Sequence, residues 1–175
     1  MRKFYFLSAC FSLFCVFSAQ AQLDEPIIKD SDIHHCFFEE NSISGGIGAP
    51  YSLEFNQGGF NTRFYFNYKE HIGIGPEFTF LRTGDLTIFD VDIVGHYVFE
   101  LPLVGVYPMI GANYTYEDAV HSEEAFGFVW GAGVHRNINR FTLFAEYTRI
   151  ESDLQDSFVT AGVLFTFTVP GMGGH

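Results

Sequence analysis

Hydrophobic and polar residues alternate strictly along residues 60–68. Phe60 and Phe64 fall on one side of an extended chain, whereas Asn61 and Arg63 fall on the other. A period of two is typical of a β-strand that separates an apolar medium from a polar one. The segment therefore predicts a strand and leaves open which medium lies on which side.

Similar segments recur along the chain and are separated by turns. The pattern predicts eight strands, at residues 42–53, 60–68, 72–81, 89–99, 104–116, 126–135, 141–148 and 158–167. This is the spacing of outer-membrane barrel strands, and an even number of antiparallel strands returns the chain to its starting side. We therefore expect an all-β chain, folded over residues 42–168 as an eight-stranded antiparallel up-and-down transmembrane β-barrel.

The composition of the two faces favours lipid outside the barrel. Phenylalanine, tyrosine, valine and isoleucine dominate the apolar faces, and glycine is common on the opposite faces, as in a narrow, crowded lumen. Aromatic residues gather near the strand ends as two predicted girdles, Tyr68, Phe99, Phe141 and Phe167 at one rim and Phe60, Phe80, Phe89, Tyr116 and Phe126 at the other. Such girdles mark the two lipid interfaces. The alternative is a soluble periplasmic ligand-binding β-barrel, with apolar side chains inside.

The first 41 residues, which precede the predicted strands, lack the alternating pattern. Arg2 and Lys3 precede an apolar run, and Ala19 and Ala21 supply small residues for cleavage, so residues 1–21 are predicted to be a signal peptide. Residues 22–41 are acidic and lack sustained alternation, which predicts a mobile or loosely docked N-terminal segment. Residues 169–175 are rich in glycine and are expected to form a flexible tail.

The charge of the chain is strongly negative, at −12, with 21 acidic and 9 basic residues. This balance argues against nucleic acid as a partner. The acidic segments 117–124 and 151–156 are predicted to be loops at the outer end, where outer-membrane barrels carry their longer connections. They are candidates for binding an extracellular partner, or divalent cations that bridge lipopolysaccharide. Cys36 is the one cysteine after the predicted signal, so no internal disulfide is expected.

Five charged residues point into the lumen at mid-height if the apolar faces meet lipid. They are Arg63, Glu77, Asp90, Asp92 and Glu146. Buried charges must be paired or neutralised, and an arginine can hold a carboxylate through two hydrogen bonds. We interpret the five as a polar network that fills the lumen. The alternative is a narrow cation-selective path, because four carboxylates exceed what one arginine neutralises.

Three further groups have residue types that suit chemistry. His96 and His135 lie on the inward face, where ordinary hydrogen bonding is the preferred interpretation over a titrating pair. Residues 34–36 are two histidines and a cysteine, but adjacent strand residues point apart, so no metal or other cofactor is expected. Residues 121–123 contain the histidine, serine and acid of an outer-membrane lipid-modifying enzyme. Consecutive residues rarely converge on one reacting centre, so no catalytic function is expected.

The last predicted strand carries the most specific motif. Thr160, Gly162, Phe165 and Phe167 place a polar residue, a glycine and two aromatics at alternating positions. This resembles the C-terminal signal by which the barrel-assembly machinery recognises its clients. With the signal peptide and the eight segments, the chain resembles small outer-membrane β-barrel proteins of the OmpA/OmpX kind, the porin-family type. The resemblance implies a structural or interaction role in contact with outer-membrane lipid and lipopolysaccharide, with at most narrow passage of small solutes.

Overall fold

A computed structural model describes residues 38, 40–119, 121–138 and 141–168 of the chain. The strands in these ranges are β1 (Ser42–Ser52), β2 (Gln57–Lys69), β3 (Ile72–Thr83), β4 (Leu86–Tyr97), β5 (Phe99–Glu100), β6 (Gly105–Asp118), β7 (Ser122–Ile138), β8 (Phe141–Glu151) and β9 (Asp156–Thr168). All pairings are antiparallel, β4 pairs with β6, and β1 pairs with β9, which closes the sheet into a barrel. β5 adds two residues beside β6. Eight strands therefore build the wall, as the alternation predicted.

The described part of the chain contains no helix that is long and apolar enough to cross a membrane. Residues 1–37, 39 and 169–175 lie outside the described residues. The signal peptide, the mobility of residues 22–37 and the flexible tail therefore stay predictions, whereas Phe38, at the end of the segment, is buried.

The two ends of the barrel are distinguished by their connections. The terminal end holds the start of β1, the end of β9 and the connections 70–71 and 98–104, whereas the distal end holds the connections 53–56, 84–85, 119–121 and 152–155. The expectation of longer distal loops has one exception among the described connections, because the stretch 98–104 at the terminal end, which includes β5, is longer than any distal connection. Loop length therefore does not set the orientation of this barrel.

The acidic segment 117–124 is mostly strand, so its prediction as a loop is wrong. Glu117 pairs with Glu123, and Asp118 pairs with Ser122. Beyond the apolar band both faces of a hairpin meet water, so polar side chains do not interrupt the backbone hydrogen bonds of the strand pair. β6 and β7 thus extend as a hairpin at the distal end.

The barrel is apolar outside and polar inside. Ile110 is 67% exposed on the outer face, whereas Ser44 and Asn67 are fully buried on the inner face. A soluble barrel would show the reverse distribution, so that alternative is wrong. One predicted girdle forms a continuous row across four strands, Phe60–Phe80–Phe89–Tyr116.

Candidate functional site in the lumen

Glycines on the inner wall make room for large side chains from neighbouring strands. A Cβ on Gly133 would lie 2.4 Å from Cζ of Tyr107, and a Cβ on Gly162 would lie 2.6 Å from Cζ of Phe144. The two rings therefore lie over glycine backbone instead of standing away from it. This arrangement lets Tyr107 and Phe144 reach the middle of a narrow lumen.

Arg63 is buried at mid-height and joins two carboxylates. Its Nη2 lies 3.1 Å from Oε2 of Glu77 and 2.6 Å from Oε1 of Glu146. Glu77 is directly opposite Arg63 in the register of β2 and β3. Glu146 belongs to β8, which β1 and β9 separate from β2, so its ion pair spans the lumen. The arginine therefore ties two parts of the wall together.

Neutral donors and an aromatic face complete the surroundings of this ion-pair group. The hydroxyl of Tyr65 donates to Oε1 of Glu77, and that of Tyr107 donates to Oε2 of Glu146 at 3.0 Å. The guanidinium carbon of Arg63 lies 4.2 Å from the ring centroid of Phe144, within the range of a cation–π contact. Each carboxylate thus receives a phenol hydrogen bond in addition to the arginine.

Asp90 and Asp92 are held differently. Thr115 Oγ1 donates to Oδ1 of Asp90 at 2.5 Å, and Asn113 Nδ2 donates to Oδ1 of Asp92 at 2.7 Å. Both donors are the direct cross-strand neighbours of these acids on β6. Among the described residues no ion pair joins either aspartate to Arg63. The structure therefore places two of the four predicted acids against the arginine.

The residues of the predicted assembly signal divide between the two faces of β9. Thr160 is buried opposite Glu146, and Gly162 faces inward beside the ring of Phe144. Phe165 and Phe167 face outward, with Phe167 61% exposed. β9 also forms the seam with β1. Recognition by the assembly machinery stays a prediction.

The remaining candidates lie away from the ion-pair group or outside the described residues. His96 and His135 are buried at the terminal end. Ser122 lies on the exposed distal hairpin, and its Oγ donates to Oδ1 of Asp118 at 3.2 Å. The described ranges contain no group of three or more histidine, cysteine or acidic side chains able to hold a metal ion. Residues 34–36 lie outside those ranges.

Sequence reasoning anticipated the hydroxyl of Tyr65 as a donor but missed the polar partners of the other three carboxylates. Tyr107, Asn113 and Thr115 all fall on the inward face predicted for their strand, which was the available signal. Their pairing with particular acids depends on the register of β6 against β4 and on the reach of Tyr107 across Gly133. The alternation of polar and apolar residues along one strand predicts neither the register nor the reach of Tyr107.

The fold and its polar interior are those of a small eight-stranded transmembrane β-barrel, and the comparisons with solved structures confirm the resemblance to the OmpA/OmpX kind at the level of the fold. The chain is similar to the N-terminal β-barrel domain of Pseudomonas aeruginosa OprF, with a TM-score of 0.63 and 12% identity over 73% of this chain and 98% of that one. It is similar to Ail, the attachment invasion locus protein of Yersinia pestis, with a TM-score of 0.55 and 20% identity over 74% of this chain and 100% of Ail. It is also similar to the Pseudomonas aeruginosa outer membrane protein OprG, with a TM-score of 0.56 and 10% identity over 79% of this chain and 100% of OprG.

Two other comparisons found no match. No protein-family model matches the chain. No curated protein matches it either. The solved structures therefore establish the fold, and the function has to be argued from the residues.

Proposed function

We propose that the chain is an integral protein of the bacterial outer membrane with a structural or interaction role, and that its lumen is filled and not an open pore. The observation that carries this proposal is the ion-pair group of Arg63, Glu77 and Glu146, which bridges the lumen at mid-height. An eight-stranded barrel has an interior just wide enough for its own side chains. Here those side chains hold each other by charge, so solute passage would have to break buried ion pairs.

The same group argues against a catalytic role for the lumen. Arg63, Glu77 and Glu146 are all at most 5% exposed at their side chains, so a substrate has no route to them. At the distal hairpin, the hydroxyl of Ser122 donates to Oδ1 of Asp118, and among the described residues it has no hydrogen bond to a histidine, so the serine–histidine–acid relay of outer-membrane lipid-modifying enzymes is not assembled there. Both observations support a structural or interaction role over a catalytic one.

The membrane location has a direct fluorescence test. Trp130 is the one tryptophan of the chain and is 42% exposed on the outer face. In phospholipid vesicles, brominated acyl chains should quench Trp130 strongly, and aqueous iodide should quench it weakly. Strong quenching by iodide and none by the brominated lipid would reject the proposal.

The proposed partners are the barrel-assembly machinery, outer-membrane lipid and lipopolysaccharide, and an extracellular molecule at the distal end. The distal hairpin supports the last of these. Residues 122–126 of β7 pair with β6, whereas the pairing of β7 with β8 begins at Phe128, so one edge of the hairpin stays open among the described strands. An open edge is a template for another strand.

The assembly machinery is tested through the two aromatic residues of the predicted signal. Replacing Phe165 and Phe167 by serine should lower the yield of protein in the outer membrane more than replacing Phe60 and Phe80 by serine.

A second candidate function is limited entry of small cations from the distal end. Oδ2 of Asp90 and Oδ2 of Asp156 are buried and have no hydrogen-bond partner among the described residues. Unneutralised carboxylate oxygens attract cations in a low-dielectric surrounding. The reversal potential of reconstituted protein under a potassium chloride gradient tests this candidate. A cation preference that Asp90→Asn and Asp156→Asn leave unchanged would refute it.

A further inference from the structure

Phe38 precedes the barrel wall and nevertheless lies inside it. The residue is only 5% exposed, although it belongs to none of the strands. Asn41 has a φ of 54°, a left-handed conformation that turns the chain between Phe38 and the start of β1. The backbone N–H of Phe38 donates to the carbonyl oxygen of Glu70 in the connection between β2 and β3, at 3.2 Å. The residue is thus anchored across the terminal mouth of the lumen.

The ring of Phe38 meets other aromatic rings inside the barrel. Its centroid lies 5.6 Å from that of His96 and 5.2 Å from that of His135, with interplanar angles of 53° and 49°. Tyr107 lies 5.5 Å from both imidazoles, and Tyr65 lies 4.7 Å from His96. Tilted contacts at these separations are the geometry that aromatic pairs prefer. We call His96, His135, Tyr65 and Tyr107 the ring layer.

Glycines of neighbouring strands create the space that this layer occupies. A Cβ on Gly73 would lie 2.5 Å from Nε2 of His96, and a Cβ on Gly105 would lie 2.5 Å from Nε2 of His135. Each imidazole therefore lies close against the backbone of the next strand, which leaves room between the two for one more ring. The remaining cavity amounts to about 10 Å³, which is room for roughly one water molecule.

We propose that the ring layer is a binding site for one aromatic side chain, that Phe38 occupies it from the same chain, and that this occupancy seals the terminal end of the lumen. This seal is separate from the ion-pair group, which fills the lumen with side chains of the barrel wall. Arg63 and its partners are fixed on strands, whereas Phe38 lies on no strand and has one backbone hydrogen bond to the other described residues. It can leave the site without any strand coming apart.

Accessibility of a cysteine beneath Phe38 tests the seal. Leu164 lines the cavity with Phe38, so Leu164→Cys is made in the full chain with the native cysteines replaced by serine. The rate of labelling by a charged methanethiosulfonate reagent is then measured in detergent micelles. Phe38→Ala should raise the rate by about tenfold or more, because local opening is no longer needed for access. Phe38→Tyr, and Glu40→Ala at a nearby exposed position, should leave it nearly unchanged.

A probe added in trans tests the preference for an aromatic ring. N-acetyl-phenylalaninamide should slow the labelling of the Phe38→Ala variant, and N-acetyl-leucinamide at the same concentration should not. Retention of the heat-dependent shift in electrophoretic mobility shows that each variant is folded. Equal labelling rates with phenylalanine and alanine at position 38 would overturn the seal. Equal effects of the two amides, or none from either, would overturn the aromatic site.

Discussion

Glu77 and Glu146 are held by the charge of Arg63, whereas Asp90 and Asp92 are held by neutral donors, although all four carboxylates face the same lumen. The first pair reaches the arginine from two parts of the wall that are not neighbours. The second pair bonds only to the next strand. A buried carboxylate bridges the lumen when its partner lies across it, as Arg63 does for Glu146. It reinforces the wall when its partner lies on the adjacent strand, which is the case for Glu77 as well as for the two aspartates.

The two arrangements also differ in how much stability the barrel should lose when each is removed. Removing one member of a buried ion pair leaves an uncompensated charge, whereas replacing a carboxylate that accepts a neutral hydrogen bond by an amide keeps an acceptor in place. The stability of the barrel should therefore depend strongly on Arg63 and weakly on Asp90.

The largest effect is expected for Arg63→Met. Because Glu77 and Glu146 would stay buried without a cation, unfolding in urea should become easier by about 3–5 kcal/mol. Arg82→Met, on the exposed face of β3, is the matched control and should change stability little. Adding Glu77→Gln and Glu146→Gln to Arg63→Met should recover much of the loss. If Arg63→Met and Arg82→Met cost the same, the ion-pair account is wrong.

An intermediate effect is expected for Gly133→Ala. The added Cβ meets the ring of Tyr107 at 2.4 Å and pushes its hydroxyl away from Glu146, at a cost of about 1–3 kcal/mol. Gly95→Ala is the control, because its nearest contact would be the carbonyl oxygen of Ile110 at 3.9 Å. Urea titrations of both variants in the same lipid make the comparison. Equal losses would mean that Tyr107 does not need the space over Gly133.

The smallest effect is expected for Asp90→Asn. The amide oxygen still accepts from Thr115, and the variant removes a negative charge that no cation neutralises. The free energy of unfolding should change by no more than about 1 kcal/mol, in the stabilising direction. Glu146→Gln, which takes a charge from Arg63, should destabilise under the same conditions. A large loss in Asp90→Asn would show that the aspartate has a charged partner in the folded protein.

The sequence carried enough information to predict the wall but not the partners. Alternation put Arg63 and all four acids on the inner face, because strand side chains strictly change sides. Which acid meets Arg63 depends on register and on distances across the lumen, and Glu146 lies on a strand that is not adjacent to β2. The distal hairpin was misjudged because polar residues continue a strand in water.

Phe38 was not predictable for a different reason. It lies in a segment without periodicity, and its site consists of residues from β2, β4, β6 and β7 that only the closed barrel brings together. The glycines at positions 73 and 105 were visible in the sequence as inward-facing. Their role in making room for His96 and His135 follows only from the pairing of the strands.

The closed lumen is tested most directly by the ionic conductance of the purified protein in planar lipid bilayers. Because Arg63, Glu77 and Glu146 bridge the lumen and Phe38 covers its terminal end, the wild-type protein should insert without opening a steady channel. A stable unitary current from the folded wild-type protein, persisting with Arg63 and Phe38 intact, would contradict the account.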